Sequence, residues 1–194
     1  LYVVNYVAAD GIKYLPNDSD NWVTMKPKTS DGELHTARLL IGFRDRLIAL
    51  NTKEMCGGGL RVYPSRARWS QFGDPRNPDV SWLDAAGRGD FRDAPTRQQI
   101  IGARIIKGHL IVYFERSTWE LQYTGYDGYL FEWKEINSEL GCESTFSTVP
   151  FDESVLAVGN VGIHACNGVA VGRIDEQIPK EVYKIHSCCA SVER

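Results

Sequence analysis

No run of about 18 consecutive apolar residues occurs in the chain, so no membrane-spanning helix is expected. Excess charge of either sign is also missing: 22 Lys and Arg stand against 25 Asp and Glu, a net charge of −3. Such a balance does not favour tight, sequence-independent binding to nucleic acid, which requires many cations on phosphates. Cysteine is sparse, at Cys56, Cys142, Cys166, Cys188 and Cys189. The number is odd and the spacing matches no metal-ligand pattern, which argues against both a zinc site and a complete disulfide framework. Mostly reduced thiols in a cytosolic assembly are expected, and the adjacent Cys188 and Cys189 are poorly placed to bridge each other.

Catalytic signatures are missing as well. There is no G-x-S-x-G and no H-E-x-x-H. The run Met55-Cys56-Gly57-Gly58-Gly59 reads as a flexible connector and lacks the Gly-Lys-Ser/Thr ending of a phosphate-binding loop. His35, His109, His164 and His186 are scattered; His109 at a hairpin turn and His164 within a strand read as structural. Residues 16–21 lack the glycine and the terminal glutamate of a calcium loop, and read as a solvated loop whose Asx side chains bond their own backbone. The sialidase-type S-x-D-x-G-x-x-W hairpin is not matched at residues 19–22 or 127–133. No enzyme, cofactor or metal site is expected.

What remains is a turn-rich β pattern. Residues 100–106, 110–114, 118–123 and 129–133 are short runs rich in Ile, Val, Tyr, Phe and Trp, the residues that suit a pleated, half-buried surface. Each is too short for an ordinary helix, and Gly and charged residues fall between them where tight turns are needed. The spacing predicts a four-stranded antiparallel meander. Residues 1–8 read as a strand, Asp10-Gly11 as a turn and 12–15 as a return strand. Leu1 is not Met, and residues 1–9 lack the charged start of a signal peptide, so the chain is expected to begin inside a larger polypeptide.

Related pieces recur. Residues 37–43, the turn Arg44-Asp45 and residues 47–50 form a predicted hairpin, and RLIAL at 46–50 resembles HLIVY at 109–113 and SVLAV at 154–158. After the third copy come 162–165, the turn Cys166-Asn167-Gly168 and 169–174, where Asn-Gly is the strongest short hairpin signal in the chain. Successive meanders of this length predict an all-β, propeller-like array, with a β-sandwich as the alternative. Residues 1–194 are then part of one propeller-type domain, interrupted by a long Arg/Asp-rich connection at about 63–99. Loops this long are usually functional or contact a partner. Between residues 61 and 104 stand eight Arg and no Lys against five Asp, a composition that suits an interface or a pinned loop through planar, bidentate ion pairs. A solvated loop with weak surface pairs is the alternative. Trp119 and Trp133 fall in strands and read as core, while Trp69 and Trp82 flank the long connection as candidate anchors.

The segment Arg66, Arg68, Trp69, Ser70, then Gly73, Asp74, Pro75 and Trp82, followed by 110–114, Trp119, Leu121, Tyr123 and Gly125, resembles the propeller-bearing tail proteins of short-tailed bacteriophages. The tail nozzle (tail tubular protein B-like) is the nearest in kind. The resemblance covers roughly residues 37–185. A nozzle subunit is considerably longer than this chain. The resemblance implies a virion structural protein, assembled in the host cytoplasm into a ring, typically sixfold, below the portal and adaptor. Such a ring carries fibres or spikes, and double-stranded DNA passes through it without tight binding. On this reading Arg66, Arg68, Trp69, Asp74 and Trp82 are the expected subunit or partner contacts. The alternative function is a propeller binding module that recognises a host glycan or protein.

Overall fold

The computed structural model describes residues 1–4, 6, 11–126 and 128–176; Cys188, Cys189 and His186 lie outside them. Among the described residues there is no helix, and none long and apolar enough to cross a membrane. Sixteen strands among the described residues form four antiparallel sheets. β1 (Tyr2–Val4), β2 (Ile12–Tyr14) and β3 (Val23–Met25) make the first. β4 (Lys28–Thr29), β5 (Gly32–Phe43), β6 (Arg46–Cys56), β7 (Gly59–Trp69) and β8 (Asp90–Asp93) make the second, in that order. β9 (Ile100–Ile106), β10 (His109–Phe114), β11 (Thr118–Tyr126) and β12 (Tyr129–Asn137) are the predicted meander. β13 (Thr148–Pro150), β14 (Val155–Gly159), β15 (Gly162–Cys166) and β16 (Val171–Arg173) form the last. The expected all-β array of antiparallel meanders is therefore present, and its four sheets are compatible with propeller-like blades or a sandwich. The three recurring pentapeptides fall on β6, β10 and β14, each of which pairs on both sides with its neighbours in sequence.

The chain divides into two compact units. Unit 1 comprises the described residues of Leu1–Gln99 and Tyr123–Glu132. Unit 2 comprises Ile100–Gln122 and the described chain from Trp133 onward. Strands β11 and β12 each contribute to both.

In unit 1 the core gathers Ile12, Met25, Leu34, Ala37, Leu47, Ala49 and Trp82. A second aromatic group sets Phe131 at 4.9 Å from Trp69, 5.4 Å from Tyr123 and 6.2 Å from Phe43, within the range of favourable tilted and edge contacts. In unit 2 the core is Ile101, Ile106, Ile111, Tyr113, Cys142, Val155, Ala157 and Cys166. Phe114 there meets Trp119 and Trp133 edge-on at 6.1 and 5.6 Å. Each fully buried Leu, Ile or Phe contributes about 1.5–3 kcal/mol relative to exposure.

Two features of the turns differ from expectation. Gly57 and Gly58 are not a flexible connector. They close the β6–β7 hairpin between the paired Cys56 and Gly59, with φ of 59° and 83°, the positive values that a two-residue turn requires. Asn167-Gly168 does form a hairpin, but inside a four-residue loop between paired Cys166 and Val171. Asn167 Oδ1 accepts from the Val169 and Ala170 amides at 3.0 and 2.9 Å. The side chain is spent on an Asx turn, and that lengthens the loop.

Candidate functional site

The chemistry-bearing cluster of unit 1 begins with a break in strand regularity. Leu50 pairs with Ala67, but Thr52 pairs with Tyr63, so Asn51 on one strand and residues 64–66 on the other fall out of register. Asn51 has φ 55° and is fully buried, and its Oδ1 accepts from the Tyr6 hydroxyl at 2.8 Å. Pro64 lacks an amide and is tolerated at such an irregularity. A bulge re-aims the side chains beyond it. Here Thr52 and Glu54 share the face of Arg66 and Arg68, which lie two apart on β7 and so point the same way.

The result is a buried ionic network. Glu54, with its side chain 1% exposed, accepts from Thr52 Oγ1 at 2.8 Å, Arg66 Nη1 at 3.2 Å and Arg68 Nε at 3.1 Å. Arg66 forks onto Asp93, its partner across β7 and β8, at 2.7 and 2.9 Å. Arg68 Nη1 reaches Asp84 at 2.5 Å. The Arg66 guanidinium lies between the Tyr63 and Phe91 rings, 3.6 and 3.8 Å from their centroids. Taking these charges from water costs several kcal/mol per ion, offset only where every donor finds an acceptor at good geometry. With two cations against three carboxylates, and with bidentate and stacked geometry, the network meets that condition.

This network anchors one side of the connection between β7 and β8, which runs over residues 70–89. The loop is also tied from within. Gln71 N donates to Ser81 O at 2.6 Å, Ser81 Oγ to Asp74 O at 2.8 Å, and Trp82 Nε1 to Pro75 O at 2.9 Å. Gly73 N donates to Asp45 O, and Arg46 Nη1 reaches both Ser70 O and Arg88 O. At Gly89 a Cβ would stand 2.6 Å from Trp69 O and 2.8 Å from Trp82 Cα; only glycine lets the two segments approach. The connection is pinned rather than loosely solvated.

Of the five expected contact residues, Arg66, Arg68, Trp69 and Trp82 are 7%, 1%, 2% and 0% exposed and act within unit 1. Asp74 is the one that opens to solvent. Its carboxyl is held below the usual carboxylate range by the Arg76 side chain, which donates at 2.9 Å, and by the Arg76 amide. Fully buried side chains offer nothing to a second subunit. With Asp74, the groups that face outward on this loop include Phe72, at 65% exposure, Arg76, Arg88 and Asp79, the last paired with Lys28 at 2.7 Å. The resemblance marks Arg66 and Arg68, and the Arg/Asp composition takes in Asp84 and Asp93, but neither pairs them with one another or points to Glu54. The available signal was the matching i, i+2 step in Arg66-Ala67-Arg68 and Phe91-Arg92-Asp93, which sets the two pairs on one face when β7 and β8 align.

In unit 2 both expected structural histidines take defined places. His109 Nδ1 lies 2.5 Å from Glu120 Oε1. His164 is fully buried in β15, with its ring 6.1 Å from that of Tyr113. Burial lowers its pKa to about 4, against the opposing pull of Asp175. Tyr113 is pushed up by burial first, with the neighbouring Cys166 and Cys142 thiols adding to the shift. Cys166 is a buried free thiol, as is Cys56 in unit 1, and Cys142 is buried beside Ser144 and Ser147. Among the described residues no group of three or more His, Cys, Asp and Glu is placed to hold a metal ion.

No family model matches the chain, and no curated protein matches it either.

Proposed function

We propose that the chain is a structural subunit of a virion, part of the tail nozzle or tail hub of a short-tailed phage, where copies form a ring that retains and delivers the genome. The supporting observation is the pinned 70–89 connection. The same Arg66, Arg68, Trp69 and Gly73-Asp74-Pro75 pattern that carries the resemblance is tied down by buried ion pairs and internal hydrogen bonds. A long loop held in one shape loses little conformational freedom when it meets a neighbour. It presents Phe72, Asp74, Arg76, Asp79 and Arg88 outward, one aromatic among charged groups. That is the composition of a polar, directional ring contact with an aromatic anchor. A net charge of −3 suits a surface past which DNA slides.

Cryo-electron microscopy of the source particles tests the reading. A ring of this chain at the portal-proximal tail, with residues 70–89 at the subunit boundary, is the expected result. Density at a peripheral fibre, or none in any particle, overturns it.

A further inference from the structure

In unit 1 the second sheet stays open along part of one side. β8 covers β7 from Arg66 to Trp69, and Ala94 N adds a bond to Ser65 O at 3.0 Å. Pro95, which has no amide to donate, then takes the chain away. Residues 59–63 of β7 pair with β6 alone among the described residues. The turn fixes which main-chain groups lie on that open side. Gly59 pairs with Cys56 across the two-residue turn, so its amide and carbonyl face β6. The direction alternates along a strand, which turns Arg61 and Tyr63 toward β6 and Leu60 and Val62 outward. The N–H and C=O groups of Leu60 and Val62 form an open row, the template on which a further strand adds.

The side chains along this row carry the selectivity. Leu60 and Val62 share one face of the strand and are 51% and 52% exposed. Arg61 belongs to the other face; it is exposed and has no ion-pair partner among the described residues. Its neighbour across the ladder, Glu54, is already engaged by Arg66 and Arg68. A charge alone discourages any strand from adding to an edge. Set between two exposed apolar side chains, it favours a strand of opposite charge over others, since opposite charges side by side on a sheet attract and like charges repel.

We propose that the open edge of β7 binds an extended segment of a partner protein in which an acidic residue stands between two apolar ones. In antiparallel register the two apolar residues lie opposite Leu60 and Val62, each exchanging both main-chain hydrogen bonds. The acidic residue then falls opposite Arg61 in a non-hydrogen-bonded pair, where side chains approach most closely. Main-chain bonds supply the affinity, and the alternating side chains supply the choice of partner. The inference goes beyond the nozzle reading and does not rest on it.

The test follows the Leu60 and Val62 amides by NMR while the chain is titrated with an acetylated, amidated Thr-Val-Glu-Val-Thr peptide. Saturable shifts at both amides are expected. Replacing the central glutamate of the peptide by lysine is expected to weaken binding by about tenfold. N-methylation of both valines, which removes the pairing donors, is expected to weaken it by at least about tenfold. Arg61→Glu changes an exposed side chain with little effect on folding, and it is expected to reverse the preference so that the lysine peptide binds better. Absence of shifts at millimolar peptide overturns the proposal, as does undiminished binding of the N-methylated peptide or an unchanged charge preference in Arg61→Glu. Concentration-dependent shifts of the same amides without peptide would make a second copy the occupant, and overturn it as well. A particle without a ring of this chain would remove the nozzle reading and leave this result standing.

Discussion

Glu54 and Arg68 meet across β6 and β7 at 3.1 Å with both side chains 1% exposed, although their backbones are not opposite each other in the ladder: Arg68 pairs with Ala49 and Glu54 with Arg61. The bulge at Asn51 closes that offset. A carboxylate and a guanidinium that regular pairing would leave apart become mutual partners, and the pair also receives Arg66.

Removing one member of this network should be costly. Glu54→Ala leaves Arg66 with Asp93 and Arg68 with Asp84 as sole ionic partners. It also strips the shared acceptor from buried donors of both, and breaking a buried pair in this way typically costs about 3–5 kcal/mol. Replacing Glu54 and Arg68 together by Leu and Met should cost much less than the sum of the single changes, since both charges leave the interior. Urea denaturation of the two single variants and the double variant checks this. Additive losses would mean that the two side chains act independently.

His164 gives unit 2 an acid dependence of known sign. In an unfolded chain histidine titrates near 6.5, whereas buried His164 titrates at about 4. On acidification the unfolded state takes up the proton first, so stability is full above about 6.5 and declines as pH falls through about 4. The difference corresponds to roughly 3 kcal/mol. His164→Leu should flatten the stability profile between those values. A variant with the same pH slope as the wild type would assign the acid sensitivity to other groups.

The strands were legible in the sequence because β-branched and aromatic runs of four to seven residues, bounded by turn residues, have few other uses. All four strands of the β9–β12 meander begin within one residue of the predicted start. The connection was legible as a place, but not as a structure. Arg66 and Arg68 stood out by composition, yet their burial depends on Glu54, which lies 12 and 14 residues away in sequence and reaches them only through the irregular register at Asn51 and Pro64. Nothing local announces such a bulge. Trp82 presents the same difficulty: its place in the core of β2, β3 and β5 residues follows from the loop folding back, with Pro75 O accepting its indole N–H. The pair Arg44 and Asp45 was read correctly as a turn, while its positive φ values require coordinates.

Glycine has opposite meanings at Gly89 and Gly59. A methyl at Gly89 would press on the backbone at Trp69 O and Trp82 Cα, atoms that cannot move without shifting β7 or the connection, whereas at Gly59 nothing lies within 4 Å. Gly89→Ala should therefore destabilise by more than about 2 kcal/mol, and Gly59→Ala should stay within about 0.5–1 kcal/mol of the wild type in either direction. Thermal unfolding of both variants distinguishes them. Equal stabilities would show that the connection is free to lift away from β7.

Asn51 combines two contributions that substitution can separate. Its φ of 55° favours glycine or asparagine, and its fully buried Oδ1 accepts from the hydroxyl of the half-buried Tyr6. Asn51→Gly keeps the backbone freedom and loses the acceptor, so it should cost about 0.5–1.5 kcal/mol for the lost hydrogen bond. Asn51→Ala loses the acceptor and adds the left-handed penalty of roughly 1–2 kcal/mol. The alanine variant should thus be the less stable of the two by about that increment, and it should also loosen the Glu54 network, because the bulge that aims Glu54 is what the strained residue maintains. Hydrogen exchange at the β6 and β7 amides beyond the bulge reports that loosening directly. Faster exchange in Asn51→Ala than in Asn51→Gly is the expected order, and the reverse would mean that the Tyr6 hydrogen bond, rather than the backbone conformation, holds the bulge in place.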